Sequence, residues 1–332
     1  MPDDSLGGPR SYNGRFGWRH AAWCAACSHP GNETMATATG ESIEAALRQT
    51  AATVDAALRE RLARYDGASP RLAEAMRYSL EAGGKRLRPA LVLWCGEACG
   101  GDPLTAMPPA VAVECVHTFS LIHDDLPALD DDDLRRGRPT CHKQYGEAIA
   151  ILAGDALLAL AFEVLGGEVA DPGVATAMTC ELAAAAGWQG MIGGEAADIE
   201  GQSMTPDAAL VARIHAAKTA RLIEASCRLG ALAAKASESQ LAALARYGHE
   251  FGLAFQATDD LLDLTASSGH LGKRTGKDAA AGKQTYPRAV GMEEARRIAR
   301  EATDRAVAAL RPLAGGGARL TALARFVLER AY

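Results

Sequence analysis

The chain has 332 residues, 48% of them hydrophobic and only 5% aromatic, with a formal net charge of −6 at neutral pH. This length and apolar share support one large domain or two medium ones with a sizeable core. The lack of a basic excess excludes nucleic acid as the main partner.

Residues 1–40 hold Gly, Pro, Ser, Asn, Trp and Arg without helical periodicity and are expected to form a disordered extension. The apolar piece Ala21–Ala26 lacks the hydrophobic region and cleavage site of a secretory signal, and Met35 offers an alternative translation start. Cys24-Ala25-Ala26-Cys27 is a lone CxxC without a second pair. With the other scattered cysteines it reads as reduced thiols in a cytoplasmic protein rather than as a zinc or redox site.

One domain is expected from residue 41 to 332. Leu47, Val54, Leu58 and Leu62 share a helix face, as do Leu72, Met76 and Leu80. Ala148–Leu165 and Leu222–Ala234 are apolar almost all round, which predicts inner helices. Although long, the segment from Ala148 to Gly167 carries Asp155 and Glu163, so it predicts a buried helix and no stable membrane insertion. Gly83-Gly84, Gly100-Gly101, Pro108-Pro109, Gly166-Gly167 and Asp171-Pro172 punctuate the pattern. Strand signals are scarce, and the prediction is a single all-α domain.

The chemistry concentrates in two aspartate clusters. The first is Asp124-Asp125-Leu126-Pro127-Ala128-Leu129-Asp130-Asp131-Asp132-Asp133-Leu134-Arg135-Arg136-Gly137, and the second Asp259-Asp260-Leu261-Leu262-Asp263. Carboxylates set among apolar residues repel one another and lose hydration unless a cation offsets them, and hard oxygen ligands suit Mg2+. The candidate ligands are Asp124, Asp125 and Asp130 opposite Asp259 and Asp263. Asp259 and Asp263 lie within about 40° of each other on a helix. Pro127 should end the helix just past Asp124, so Asp124 and Asp130 converge only if the chain bulges between them. Arg135 and Arg136 suit phosphate oxygens. Gly83-Gly84-Lys85-Arg86-Leu87-Arg88-Pro89 adds backbone that can approach a ligand closely, with Lys85 and Arg88 able to grip an anion. Lys218-Thr219 and the basic, glycine-containing stretch Gly272-Lys273 to Gly282-Lys283 add further cations. His117 stands two turns before Asp124, nearly on the same face, and suits ligand contact. His123 reads as a packing residue.

Ser120 to Gly137 closely resembles the first aspartate-rich motif of the trans-isoprenyl diphosphate synthases, and Gln256 to Asp263 resembles their second. Gly83–Pro89, Lys218-Thr219 and the Lys273–Lys283 stretch match further elements of the family in order, so the resemblance covers residues 41–332. The two extra residues between the aspartates of the first motif are those of the bacterial farnesyl diphosphate synthase branch. The resemblance implies an all-α homodimer with a central cavity ringed by helices. It implies that Asp124, Asp130 and Asp259 bind Mg2+ around an allylic diphosphate that Arg135, Lys218 and Lys273 also hold. Lys85, Arg88, His117 and Arg136 would hold isopentenyl diphosphate. Lys218, Thr219 and Gln256 would be the catalytic residues, the latter two placing oxygens near the developing allylic cation, and released diphosphate would take the proton. By the same resemblance Phe119, with Ser120 beside it, points down the cavity toward the growing tail. An aromatic floor predicts a farnesyl product, with geranyl or geranylgeranyl as alternatives. Two cation sets for two diphosphates argue against a cyclase, which binds one. A non-catalytic partner of a sister synthase is the other rival, and the spacing of an EF-hand is absent.

Overall fold

The computed structural model describes residues 42–64, 69–266, 282–313, 315 and 317–330. The expected extension over 1–40, the CxxC at Cys24 and Cys27, Lys273, Lys277 and the segment Ser267–Leu271 lie outside the described residues.

Fourteen α-helices account for nearly all the regular structure among the described residues. They are α1 Ile43–Leu62, α2 Pro70–Leu80, α3 Leu87–Ala98, α4 Pro103–Asp124, α5 Cys141–Tyr145, α6 Glu147–Glu168, α7 Pro172–Ala186, α8 Met191–Gly201 and α9 Ala208–His215. After them come α10 Arg221–Ala233, α11 Glu238–Ala266, α12 Tyr286–Val290, α13 Met292–Ala309 and α14 Ala318–Glu329. A five-residue π-helical segment, Ala216–Ala220, joins α9 to α10 without a break. The all-α expectation holds, with one small addition. A hairpin of two-residue strands, β1 Leu134–Arg135 and β2 Arg138–Pro139, closes the first acidic loop. Its two-residue turn places Arg136 at φ 54° and Gly137 at φ 76°, the positive pair that a tight hairpin turn demands.

Several starts are written into the sequence. Ser69, Asp102 and Asp171 each precede a proline at the first helical position and accept a backbone N–H from the first turn, which satisfies a donor the helix cannot. Pro108-Pro109, read as punctuation, instead lies inside α4. Each proline removes one bond, to the carbonyls of Leu104 and Thr105, but those residues sit on the exposed first turn where water can reach them. The following Ala110 to Val116 is fully buried and holds the helix in place.

α4, α10 and α11 form the interior, with α3, α6, α7 and α13 packed around them. The predicted faces are in place: Leu47, Val54, Leu58 and Leu62 are buried in α1, and Met76 and Leu80 in α2. α6 differs from its expected all-round burial. By length and composition it is the one helix among the described residues that could cross a bilayer. Here it packs Ala150, Ala153, Leu157, Leu160, Ala161, Val164 and Leu165 inward. Its other side leaves Ile151 43% and Leu152 51% exposed.

Close helix approach depends on glycine at a few points. A methyl group on Gly230 of α10 would strike the carbonyl oxygen of Val92 in α3. Replacing Gly230 by Ala should therefore cost about 2 kcal/mol or more, read as a lowered midpoint in urea denaturation with an unchanged slope.

Candidate active site

Most of the side chains that the sequence singled out converge on two adjoining cavities, Asp125, Asp130 and Asp263 being outside both linings. The larger, about 760 Å3, is bounded by α4, the first acidic loop, α6, α8, the π segment and α11; its lining includes Asp124, Asp259, Arg135, Lys218, Thr219 and Gln256. The second, about 500 Å3, is bounded by Lys85, Arg86, Arg88, Arg136 and Arg330 with His117. Arg88, His117, Arg136, Phe255 and Asp259 border both.

The chain reaches this arrangement in steps. α4 stops at Asp124, and Pro127 then lets the loop fold back so that the Asp130 N–H donates to the Asp124 carbonyl at 2.9 Å. This is the bulge that convergence requires. Asp124 faces the large cavity, where burial, and after it Glu195, raise its carboxyl to about 7. Asp259 faces the same cavity and is raised by burial to about 6, against the pull of Arg330, Lys85 and Arg88. Asp130 pairs with Lys283 at 3.1 Å.

Asp125 departs from the expected ligand set. Both of its oxygens accept from Arg135, at 2.7 to 3.0 Å. Successive residues on a helix point about 100° apart, so Asp125 leaves the cavity and fixes the Arg135 fork instead. Asp263 is half-buried one turn past Asp259 and does not border either cavity. A separate grouping lies on the outer side of the acidic loop: Asp131, Asp133 and His142 bring one ligand atom each within 4.8 Å of one another, and Asp133 also pairs with Lys143 at 2.8 Å.

Lys218 and Thr219 are carried by the π segment, a distortion that often marks functional positions. Gly194 of α8 makes room for it, since a methyl group there would collide with the Lys218 backbone. The Lys218 ammonium donates to Asp198 and pairs with Glu195, each at 2.6 Å. These acids raise its pKa despite its burial. Thr219 Oγ1 donates to Gln256 Oε1 at 2.7 Å, and Gln256 Nε2 donates to Asp260 Oδ1 at 3.1 Å. Asp260 in turn accepts from the Tyr286 N–H at 3.1 Å. Asp260, 5% exposed, thus orients Gln256 while its neighbour Asp259 faces the cavity.

In the basic cavity, burial drives His117 well below the usual imidazole range, assisted by Arg88 and Arg136, so it is neutral. Arg88 borders both cavities, while its Nε is buried with no hydrogen-bond partner among the described residues. Arg86 lies in the same string but serves the fold. It is 4% exposed and donates to Asp55 and Glu114 at 2.7 Å each and to the Leu80 carbonyl, which anchors the loop bearing Lys85. Arg136, held in the left-handed hairpin turn, rests its guanidinium against Gly84. Phe119 and Ser120 border the large cavity, Phe119 meeting His123 edge-on at 4.9 Å. The ring of His123 lies over Gly154, with its Nε2 3.1 Å from the Ile151 carbonyl, and the residue also borders the large cavity.

Glu195, Asp198, Asp260 and Arg330 were not legible as site residues. Glu195 and Asp198 sit in an ordinary small-residue helix, and Arg330 lies at the end of the last one. The spacing of Glu195 and Asp198, one helical turn apart as two acids, was the one available signal.

The polyprenyl synthetase family model matches residues 69–311. Geranylgeranyl pyrophosphate synthase 11, chloroplastic, of Arabidopsis thaliana is 51% identical over 235 residues, which cover 69% of this chain and 66% of that protein. Farnesyl diphosphate synthase of Escherichia coli K12 is 47% identical over 267 residues, covering 78% of this chain and 89% of that one. The matched region thus spans just under two thirds of the Arabidopsis relative's own length. The apo crystal structure of an FPP/GFPP synthase from Zymomonas mobilis superposes with a TM-score of 0.77 at 37% identity, covering 86% and 98% of the two chains. The chain belongs to the polyprenyl synthetase family.

Asp124 and Asp259 must shed protons to hold a divalent cation. Mg2+ affinity should therefore fall as pH drops through 7 and then 6, by up to about tenfold per pH unit for each group; calorimetric titration between about pH 5.5 and 8 checks this. The linkage in metal-free protein has the opposite consequence. The native state retains protons that the unfolded chain releases near 3.8, so stability falls as pH rises from about 4 to 7. The variant Asp124→Asn should flatten that decline in thermal melts.

Proposed function

We propose that the chain is a trans-prenyltransferase that joins isopentenyl diphosphate to dimethylallyl or geranyl diphosphate and releases farnesyl diphosphate. The observation that carries this reading is the pairing of two anion sites around one apolar-walled space. One combines carboxylates with Arg135 and Lys218, and the other is built from Lys85, Arg88, Arg136 and Arg330.

The oxygen donors Asp124, Asp130 and Asp259 fit hard divalent cations, and Asp124 and Asp259 share a cavity wall whose charge calls for one. When bound, Mg2+ supplies charge neutralisation to a departing diphosphate. Arg135, aimed by Asp125, and Lys218, held by α8, bind the same leaving group. Lys85, Arg88 and Arg136 bind the second diphosphate, with neutral His117 offering a hydrogen bond beside them. Thr219 and Gln256 place fixed oxygen dipoles where positive charge develops on the allylic carbons, and Asp260 prevents their rotation. Leu129, Leu158, Met191 and Phe255 border the space with apolar surface that keeps water from the cation. Attack by the isopentenyl double bond leaves a tertiary cation, and the released diphosphate accepts the proton whose loss from the adjacent carbon forms the new double bond.

The relatives carry the names of both farnesyl and geranylgeranyl synthases, so the product assignment rests on Phe119. Its ring is 6% exposed and borders the cavity, where it acts as the floor. A homodimer belongs to the same reading, supported by the outward apolar face of α6 at Ile151 and Leu152. So does a cytoplasmic setting, supported by the free thiols of the six described cysteines.

Purified protein with Mg2+ and labelled isopentenyl diphosphate should extend dimethylallyl and geranyl diphosphate to farnesyl diphosphate. Absence of incorporation by the protein alone would defeat the proposal. Phe119→Ala should shift the products to longer chains on chromatography, and an unaltered product distribution would remove Phe119 as the floor.

A further inference from the structure

Glu195 belongs to neither aspartate-rich motif, yet it stands on the wall of the large cavity with Asp124 and Asp259. It shares one face of α8 with Asp198, three residues on, and both acids take the Lys218 ammonium at 2.6 Å. Two carboxylates against one ammonium leave one negative charge in excess. Asp198 is 6% exposed and does not border the cavity. Glu195 is the one of the two on the cavity wall, so a ligand meets the surplus charge through it. Of the three ammonium hydrogens on Lys218, two point to these acids and one remains for a ligand.

We infer that Glu195 is a charge-setting and positioning residue of the allylic diphosphate subsite. With Asp198 it fixes the Lys218 ammonium, and the surplus negative charge of this trio, which Glu195 carries to the cavity wall, makes the subsite admit a diphosphate only together with divalent cations. This assignment rests on the prenyl diphosphate reading above. A bare diphosphate meets Glu195, Asp124 and Asp259 as like charges, with Lys218 already engaged. A cation-loaded one finds the same acids as counter-charges. The influence of Glu195 on Asp124, second only to burial, agrees with carboxylates close enough to act together.

The test uses substrate-free, full-length protein and two binding measurements that do not depend on turnover. Mn2+ binding is followed by electron paramagnetic resonance, and binding of inorganic pyrophosphate in chelator by calorimetry. Glu195→Gln, which keeps the shape and removes the charge, should weaken Mn2+ binding and tighten metal-free pyrophosphate binding, each by about tenfold. Glu195→Ala, which also removes the charge, should shift both in the same directions should the Gln variant fold poorly. Glu195→Asp should keep both affinities within about twofold of the parent. Unchanged affinities in a folded Gln or Ala variant would overturn the assignment, and so would a loss of both, which marks a purely structural role. A parent protein that binds these probes but transfers no prenyl group would overturn the reaction instead and leave the Glu195 measurements interpretable.

Discussion

The site depends on holding carboxylates in an apolar wall without letting them spoil the fold. Asp124 and Asp259 are both forced toward their protonated forms by burial. Isolated, such groups would be a liability of several kcal/mol. They are tolerated because cations border the same cavities: Lys218 from the π segment, Arg135 from the hairpin, and Lys85, Arg88 and Arg330 from the neighbouring cavity. The arrangement concentrates electrostatic demand on one wall, which under the proposed function suits a polyanion that arrives with its own metal.

Much of the surrounding structure exists to keep those charges aimed. Asp125 is committed to the Arg135 fork, Asp198 to Lys218, and Asp260 to Gln256 and the Tyr286 backbone. Each is a buried acid next in sequence or in space to one that faces the cavity. Arg86 plays the same part for the basic string, spending its donors on Asp55, Glu114 and Leu80 so that Lys85 and Arg88 have a rigid base. A site assembled from long, mobile side chains gains its accuracy from such second contacts.

The fold and the ligand-facing half of the site were legible in the sequence because they follow from period and spacing. Helical faces in α1 and α2, the helix end before Pro127 and the approach of Asp124 to Asp130 all follow from local geometry. What was hidden follows from tertiary contact. Nothing local separates Asp125 from Asp124 as a ligand, because the difference is the position of Arg135 ten residues later. Pro108-Pro109 looked like a break because the burial of the rest of α4, which outweighs two lost hydrogen bonds, is a property of the packed bundle. α6 read as an inner helix because composition counts apolar residues and not the neighbours available to cover them.

The π-helical segment Ala216–Ala220 has a consequence for how such a protein can change. A wide turn of this kind amounts to one residue more than a regular helix would use over the same rise. Deleting a single alanine from it would let the backbone relax into ordinary α geometry while the helices on either side keep their register. α10 would keep its apolar stripe against α3 and α11, and the change would fall on Lys218 and Thr219, which the wide turn presents to the cavity. A stretch of mostly alanine is thus a place where a change in length would alter the site and leave the bundle around it standing.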